Sequence, residues 1–457
     1  MKGETAMEQQ TNHEVRSGLP RRRKRSKWQL FKETYLPLVI AGCALILIII
    51  FIIGSITRAV QKSQYQKHLA LEASIAAAEQ QAQLEREVAT LSAEAKALAI
   101  TYDYEAAIEK ISTFSGDLAQ FPALTAQQQE YEEAISLLVQ WEDHTEIPNL
   151  VFNILITDPD QLPKKDDYKQ HLTTDAFSNI LQQLYENDYV LVGLDDILEG
   201  TTPKPVLLPA GKKPVLITQK MVSYPHIAVG TNGAAERKGV GIASKLLLDE
   251  DKNISCEYVD ETGQARIGAY DLVPILEAFI YTHPDFSYKG ARATLAVTGY
   301  NGLFGYQVQS KAKETLGEEA YLKEVASARE LVQALRAAGY EIACHTYGNL
   351  SYGNASNEEV LADIEKWNTE IAPIVGVVDT FVYARNSDLT GSGTAYSGAK
   401  YEPLQQAGFT RFLTTKNKLW LNYSDDYIRQ GCIIVSKPNF TKTPDLFADY
   451  FDINQIP

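Results

Sequence analysis

The sequence predicts an α/β chain, a (β/α) barrel preceded by a single transmembrane helix and an α-helical stalk. Three observations carry this. Leu36 to Ile56 is an almost wholly apolar run of 21 residues. Ser55 to Ser115 contains neither glycine nor proline and is rich in Ala, Glu and Gln, a strong helix composition. Beyond residue 146, short apolar runs alternate with amphipathic stripes, the pattern of a parallel sheet covered by helices.

At 1.5 Å per residue the apolar run spans about 30 Å, the thickness of a bilayer's hydrocarbon core. Arg21-Arg-Arg-Lys-Arg25 and Lys27 precede it, which predicts a cytoplasmic N-terminus. A cleaved signal peptide is the competing reading. Its apolar core is normally shorter, and no small-x-small site precedes Arg58, so an uncleaved anchor over 35–57 is expected, with 1–34 as a cytoplasmic tail. Everything after Thr57 is then extracellular.

The stalk is expected over 58–145. Leu84, Val88, Leu91, Ala95 and Leu98 follow heptad spacing for two heptads, which fits a short coiled coil or a helix packing on its neighbours. Tyr104, Ala107, Ile108 and Ile111 continue a helical stripe. After the Phe121-Pro122 break, Tyr131, Ala134, Ile135 and Leu138 form another.

The barrel domain is expected over 146–457. Strands are predicted near 150–156, 189–194, 214–218, 293–298, 340–344, 378–383 and 409–413. Between them, Thr174 opens a helix with Phe177, Ile180, Leu181 and Leu184 on one face. Further helices are expected near 270–282 and from 318 to Ala338, stopped by Gly339. The capping box Ser356-x-x-Glu359 opens another. Asp195-Asp196 reads as a helix cap, and the long connection 226–268 as a loop that shapes a site.

The net charge of −15 over 457 residues is unevenly spread. Residues 1–34 hold nine Lys or Arg against four Glu, so they carry +5 and the remainder −15 − 5 = −20. No basic face is left on the large domain for nucleic acid. Cys43 lies in the apolar run. Cys256, Cys344 and Cys432 are an odd number, and the last two sit on apolar strands as small buried hydrophobes.

The stretches Lys213-Pro-Val-Leu216, Gly268-Ala-Tyr-Asp-Leu-Val-Pro274 and His283-Pro-Asp-Phe-Ser-Tyr288 share an order and spacing with three others. These are Leu295-Ala-Val-Thr-Gly-Tyr-Asn-Gly302, Gly339-Tyr-Glu-Ile-Ala-Cys-His-Thr346 and Asp379-Thr-Phe-Val-Tyr383. Together they resemble the NodB-homology polysaccharide deacetylases, in particular a membrane-anchored Gram-positive branch. The resemblance implies a distorted (β/α) barrel with one open seam. It also implies a metal-bound water, a carboxylate base and the substrate class of N-acetylated polysaccharide.

That family ends its first strand with Asp-Asp, base then metal ligand, and the equivalent positions are read as Gln219 and Lys220. Its His-(Ser/Thr)-x-x-His motif reads His345-Thr-Tyr-Gly-Asn349, and its Arg-x-Pro segment falls at Arg385-Asn386. Only His345 keeps a ligand identity. An amide is no base near neutral pH, an ammonium opposes a metal, and Asn is a poor ligand for zinc-like ions. No intact catalytic set and no cofactor are therefore expected. His345 reads either as an inherited pocket histidine or as a functional one. With Tyr224, Tyr300, Tyr347 and Tyr383 it is a candidate for binding glycan, and Tyr306 and Tyr396 are further tyrosines able to stack on sugar. Three functions stay open. One is a degenerate barrel that binds or scaffolds cell-wall polysaccharide or peptidoglycan. The second is an active zinc-type deacetylase with a rearranged site. The third is a signalling or assembly protein that uses the barrel as a platform.

Overall fold

The structure is a computed structural model and describes residues 26–162, 168–224 and 240–457. The basic run Arg21–Arg25 and the first part of the 226–268 connection lie outside the described residues. The chain divides into two compact units, one ending at Arg86 and one spanning Glu87–Pro457.

Helix α1 (Leu36–Ala99) starts in the first unit and ends in the second. Pro37 follows a π-helical turn, Phe31–Tyr35, through which the helix continues back to Lys27. Leu38, Leu47 and Phe51 are exposed on it, and the helix is long and apolar enough to cross a membrane by length and composition.

In the second unit the last turns of α1 meet α2 (Tyr104–Ser112) and α3 (Pro122–Ser136), the latter opened by Pro122 as the sequence predicts. Leu91, Ala95, Ala107, Ile111 and Leu124 are buried. Gln127 clamps α3 to α1, accepting from the Ser92 hydroxyl at 2.6 Å and donating to its carbonyl at 3.0 Å. For Leu91 and Ala95, packing on neighbouring helices accounts for the heptad-like spacing.

The barrel follows. In chain order its elements are β1 (Asn149–Phe152), α4 (Thr174–Glu186), β2 (Tyr189–Leu191) and β3 (Lys213–Lys220). Next come β4 (Lys245–Leu248), β5 (Ile254–Val259), β6 (Ala265–Gly268), α5 (Leu272–Thr282), β7 (Thr294–Val297) and α6 (Glu318–Ala338). Then follow β8 (Glu341–Cys344), α7 (Asn357–Lys366), β9 (Thr380–Val382), β10 (Arg411–Thr414), β11 (Trp420–Tyr423), β12 (Ile428–Gly431) and β13 (Ile433–Ile434). The caps are those the sequence announces, with one shift. Ser356 and Glu359 form the capping box, and Gly339 ends α6 with φ 101°. The residue capping α4 is Thr173 rather than Thr174.

The main sheet runs in the order β11-β12-β10-β9-β8-β7-β3-β1-β13, with β2 beside the first half of β3. Only the β11–β12 pair is antiparallel. β12 and β13 are one segment interrupted at Cys432. It pairs with β10 on one side and, by its continuation, with β1 on the other, so the sheet curls back on itself. Alternation along each strand sorts the side chains. Val151, Leu216, Ala296, Ala343, Val382 and Leu413 form the inner cluster, while Leu150, Ile217, Leu295, Ile342, Phe381 and Phe412 face the helices. Cys256, Cys344 and Cys432 are free and buried.

Part of the connection expected to be a loop is an antiparallel meander, β4-β5-β6. Its turns are closed by side chains: Asp249 accepts from the Asn253 N–H at 2.8 Å and Asp260 from the Gln264 N–H at 2.9 Å.

The end of the barrel where parallel strands begin is plugged. Tyr102, Ile147, Leu194, Ile197 and Tyr288 join the inner cluster there, and the Tyr102 hydroxyl donates to the Asp285 carbonyl at 2.8 Å. Asp196 caps the short helix Leu194–Ile197 through the Gly193 N–H at 2.7 Å. Glu341 accepts from the Thr294 hydroxyl at 2.9 Å and the Asp195 N–H at 3.2 Å. Burial, and after it the Asp195 charge, push the Glu341 carboxyl up to about 7.

Candidate functional site

The other end, where the parallel strands finish, holds the residues the sequence singles out. β3 ends on Lys220 and its neighbour β7 pairs with it through Ala296↔Lys220. His345 follows β8 directly, and β8 is the next strand beyond β7. Lys220 continues the inner face of Leu216 and Thr218, the latter donating to Asn149 Oδ1 at 2.8 Å. Lys220 is partly exposed, and burial alone holds its ammonium down at about 8, with no charged partner among the described residues contributing. His345 is 1% exposed and its Nδ1 lies 2.8 Å from the Val382 carbonyl. That bond assigns the ring proton to Nδ1 and leaves Nε2 as an acceptor. Burial, and then the charge of Lys220, drive the imidazole down to about 3, so it is neutral at physiological pH.

Gln219 lies on the opposite face of the strand. Its side chain points to the helix layer, where Nε2 donates to Asp271 Oδ2 at 2.8 Å. It therefore cannot share the inner face with Lys220. Asp271, the residue before α5, was missed by sequence reasoning although its stretch was quoted. It is fully buried and accepts from the Leu155 N–H at 2.8 Å, from Gln219 and from the Tyr224 hydroxyl. Burial pushes its carboxyl up against those donors.

The loop after His345 is shaped by a second buried carboxylate. Asp363 on α7 accepts from the Tyr347 and Gly348 N–H groups, each at 2.7 Å, and from the Tyr352 hydroxyl at 2.9 Å. Thr346 Oγ1 accepts from the Leu350 N–H at 2.8 Å. Gly299 is required beside this loop, because a Cβ there would stand 2.2 Å from the Tyr347 ring. Asn349 closes the loop, and its carbonyl accepts from Arg385 Nε at 3.0 Å, which joins the ends of β8 and β9. Arg385 itself is exposed.

Backbone strain collects at this end. Met221, Asn301, Thr346, Asn349, Arg385 and Asn386 all take positive φ, between 53° and 59°, just after β3, β7, β8 or β9. Such conformations cost free energy for non-glycine residues and gather at ligand sites.

The tyrosine candidates divide. Tyr224 is 1% and Tyr383 0% exposed, so neither has a face for a sugar, and Tyr306 and Tyr396 are buried too. The Tyr224 hydroxyl is spent on Asp271. Tyr300 is 48% exposed, and Tyr347 is half-buried with its hydroxyl 2.5 Å from Glu370 Oε2. Sequence reasoning also missed His171. Its Nδ1 lies 2.7 Å from the Ile154 carbonyl, just past β1, and Lys220 helps to hold its pKa down after burial. Among the described residues no three His, Cys, Asp or Glu side chains are placed to hold a metal ion.

Residues 287–399 match the family model described as polysaccharide deacetylase. The chain carries a polysaccharide deacetylase domain. The match takes in β7 to β9 and the whole His345 loop. Three solved structures are similar to it. A Streptococcus pyogenes deacetylase in complex with acetate is 11% identical with a TM-score of 0.34, over 69% of this chain and 99% of that one. A de-N-acetylase from Aggregatibacter actinomycetemcomitans is 10% identical with a TM-score of 0.38, over 66% and 99%. A polysaccharide deacetylase from Bacillus cereus is 13% identical with a TM-score of 0.36, over 68% and 69%. No curated relative matches the chain.

Asp271→Ala should destabilise the barrel by about 3–5 kcal/mol, because it strands buried donors from three segments at once. Thermal unfolding of the full chain in detergent should show this as a clear fall in midpoint. An unchanged midpoint would mean that Asp271 does not organise β3.

Proposed function

We propose that the domain is a membrane-anchored, extracellular glycan-binding member of its family whose deacetylation chemistry has been lost. The observation that carries this is Lys220. On the inner face, beside the neutral His345, the chain presents an ammonium where deacetylation needs a carboxylate. A cation there opposes a divalent ion electrostatically, and Asn349 adds an amide in place of a second imidazole. The donor set of the described residues does not fit a zinc-like metal. The strained loops, built around Asp363 and Arg385, support a retained binding surface, with Tyr300 the exposed ring for a sugar. Cell-wall polysaccharide or peptidoglycan is the proposed partner.

The unmodified full-length protein in detergent should release no acetate from peptidoglycan and hold no stoichiometric divalent metal. Loss of a base alone costs about 10²–10⁴ in rate. Lys220→Asp with Asn349→His should gain zinc uptake, whereas Gln219→Asp should instead destabilise the chain by setting a second carboxylate against Asp271. Metal-dependent acetate release by the unmodified protein would establish the active deacetylase instead.

For topology, the polybasic segment before the apolar run and the run itself support a single crossing with the barrel outside. Protease added to intact, wall-stripped cells should degrade the barrel, and protection of it would contradict the topology.

A further inference from the structure

Three strand ends bring an amine and two imidazoles together. Lys220 closes β3, His345 follows β8, and His171 is tied to the chain just beyond β1, the strand paired with β3 on its other side. Each imidazole fixes Nδ1 on a backbone carbonyl, at 2.7 Å for His171 and 2.8 Å for His345. Each is thereby left with Nε2 as a lone-pair acceptor. His345 is buried, whereas His171 is only partly buried. Lys220 is the donor and the charge of the group, and no carboxylate among the described residues pairs with it.

A desolvated cation without a partner is costly and is relieved by an anion. The domain around it is strongly acidic, which disfavours polyanions in general. Beside the cation, the His171 Nε2 is an acceptor suited to a ligand hydroxyl. A carboxylate with a neighbouring hydroxyl on one sugar unit is the chemistry of a sugar acid.

We propose that the barrel mouth binds a carboxylate-bearing sugar, with the Lys220 ammonium on the carboxylate, His171 accepting from an adjacent hydroxyl, and the buried His345 as the floor. This rests on the glycan-binding reading and narrows it to uronic or muramic acids. It gives the substituted lysine a function of its own.

Calorimetric titration of the full-length protein in detergent tests it, with N-acetylmuramic acid and glucuronic acid against N-acetylglucosamine and glucose, and with acetate as a carboxylate lacking the ring. The sugar acids should bind at least tenfold more tightly than the neutral sugars and acetate. Lys220→Met should remove that preference, Lys220→Arg should largely keep it, and His171→Ala should weaken the acids severalfold. Salt should weaken the acids and not the neutral sugars. Equal affinity for acids and neutral sugars, or indifference to Lys220→Met, would overturn the inference and leave the glycan reading standing. Acetate binding as tightly as the sugar acids would overturn the sugar part. Binding of none of these would overturn both.

Discussion

Asp271 draws together the Leu155 N–H beyond β1, Gln219 on β3 and Tyr224 beyond it, and by doing so decides which face every residue of β3 presents. A strand has only two faces, so once Gln219 is held outward by a buried carboxylate, Lys220 must point inward. A slip of one residue would bury the ammonium in the helix layer and break the Gln219 and Tyr224 hydrogen bonds to a desolvated anion. The electrostatics of the barrel mouth follow from this constraint. The inward ammonium helps keep both His171 and His345 neutral.

The mouth is scaffolded independently of any catalytic group. Asp363 holds the two N–H groups after Thr346 from outside the barrel, and Arg385 clips β9's loop to the Asn349 carbonyl. Gly299 leaves room for the Tyr347 ring. These contacts keep non-glycine residues in left-handed conformations that an unconstrained loop would relax. A site that has lost its base and ligands can therefore retain its shape, because different side chains supply the two.

Much of this was legible beforehand. The alternation of apolar runs and helical stripes gave the barrel, and local capping signals such as Ser356–Glu359 and Gly339 placed helix ends within a residue. The family resemblance picked out Lys220, His345, Asn349 and Arg385, which lie at one end of the sheet. The face of Gln219 was not legible, since a motif compared by position carries no pleat. Tyr224 and Tyr383 looked like sugar platforms because aromatic residues near strand ends do not announce burial. Asp271 escaped because its partners are distant in sequence, with 116 residues separating it from Leu155; Asp363 and His171 escaped because they bond mainly backbone groups, which leave no residue-type signal. The meander over 245–268 was hidden by its many charges, which sit well on a partly exposed antiparallel ribbon.

The central claim is that a partly desolvated ammonium, unpaired among the described residues, stands on the inner face of the barrel mouth. Lysine-selective methyl-labelling NMR, following one signal assigned through Lys220→Arg across a pH titration, measures it directly. The account predicts that Lys220 titrates near 8, well below the ordinary lysine value of 10.5. Titration at the ordinary value would place the amine in solvent or beside a carboxylate, and would contradict the account.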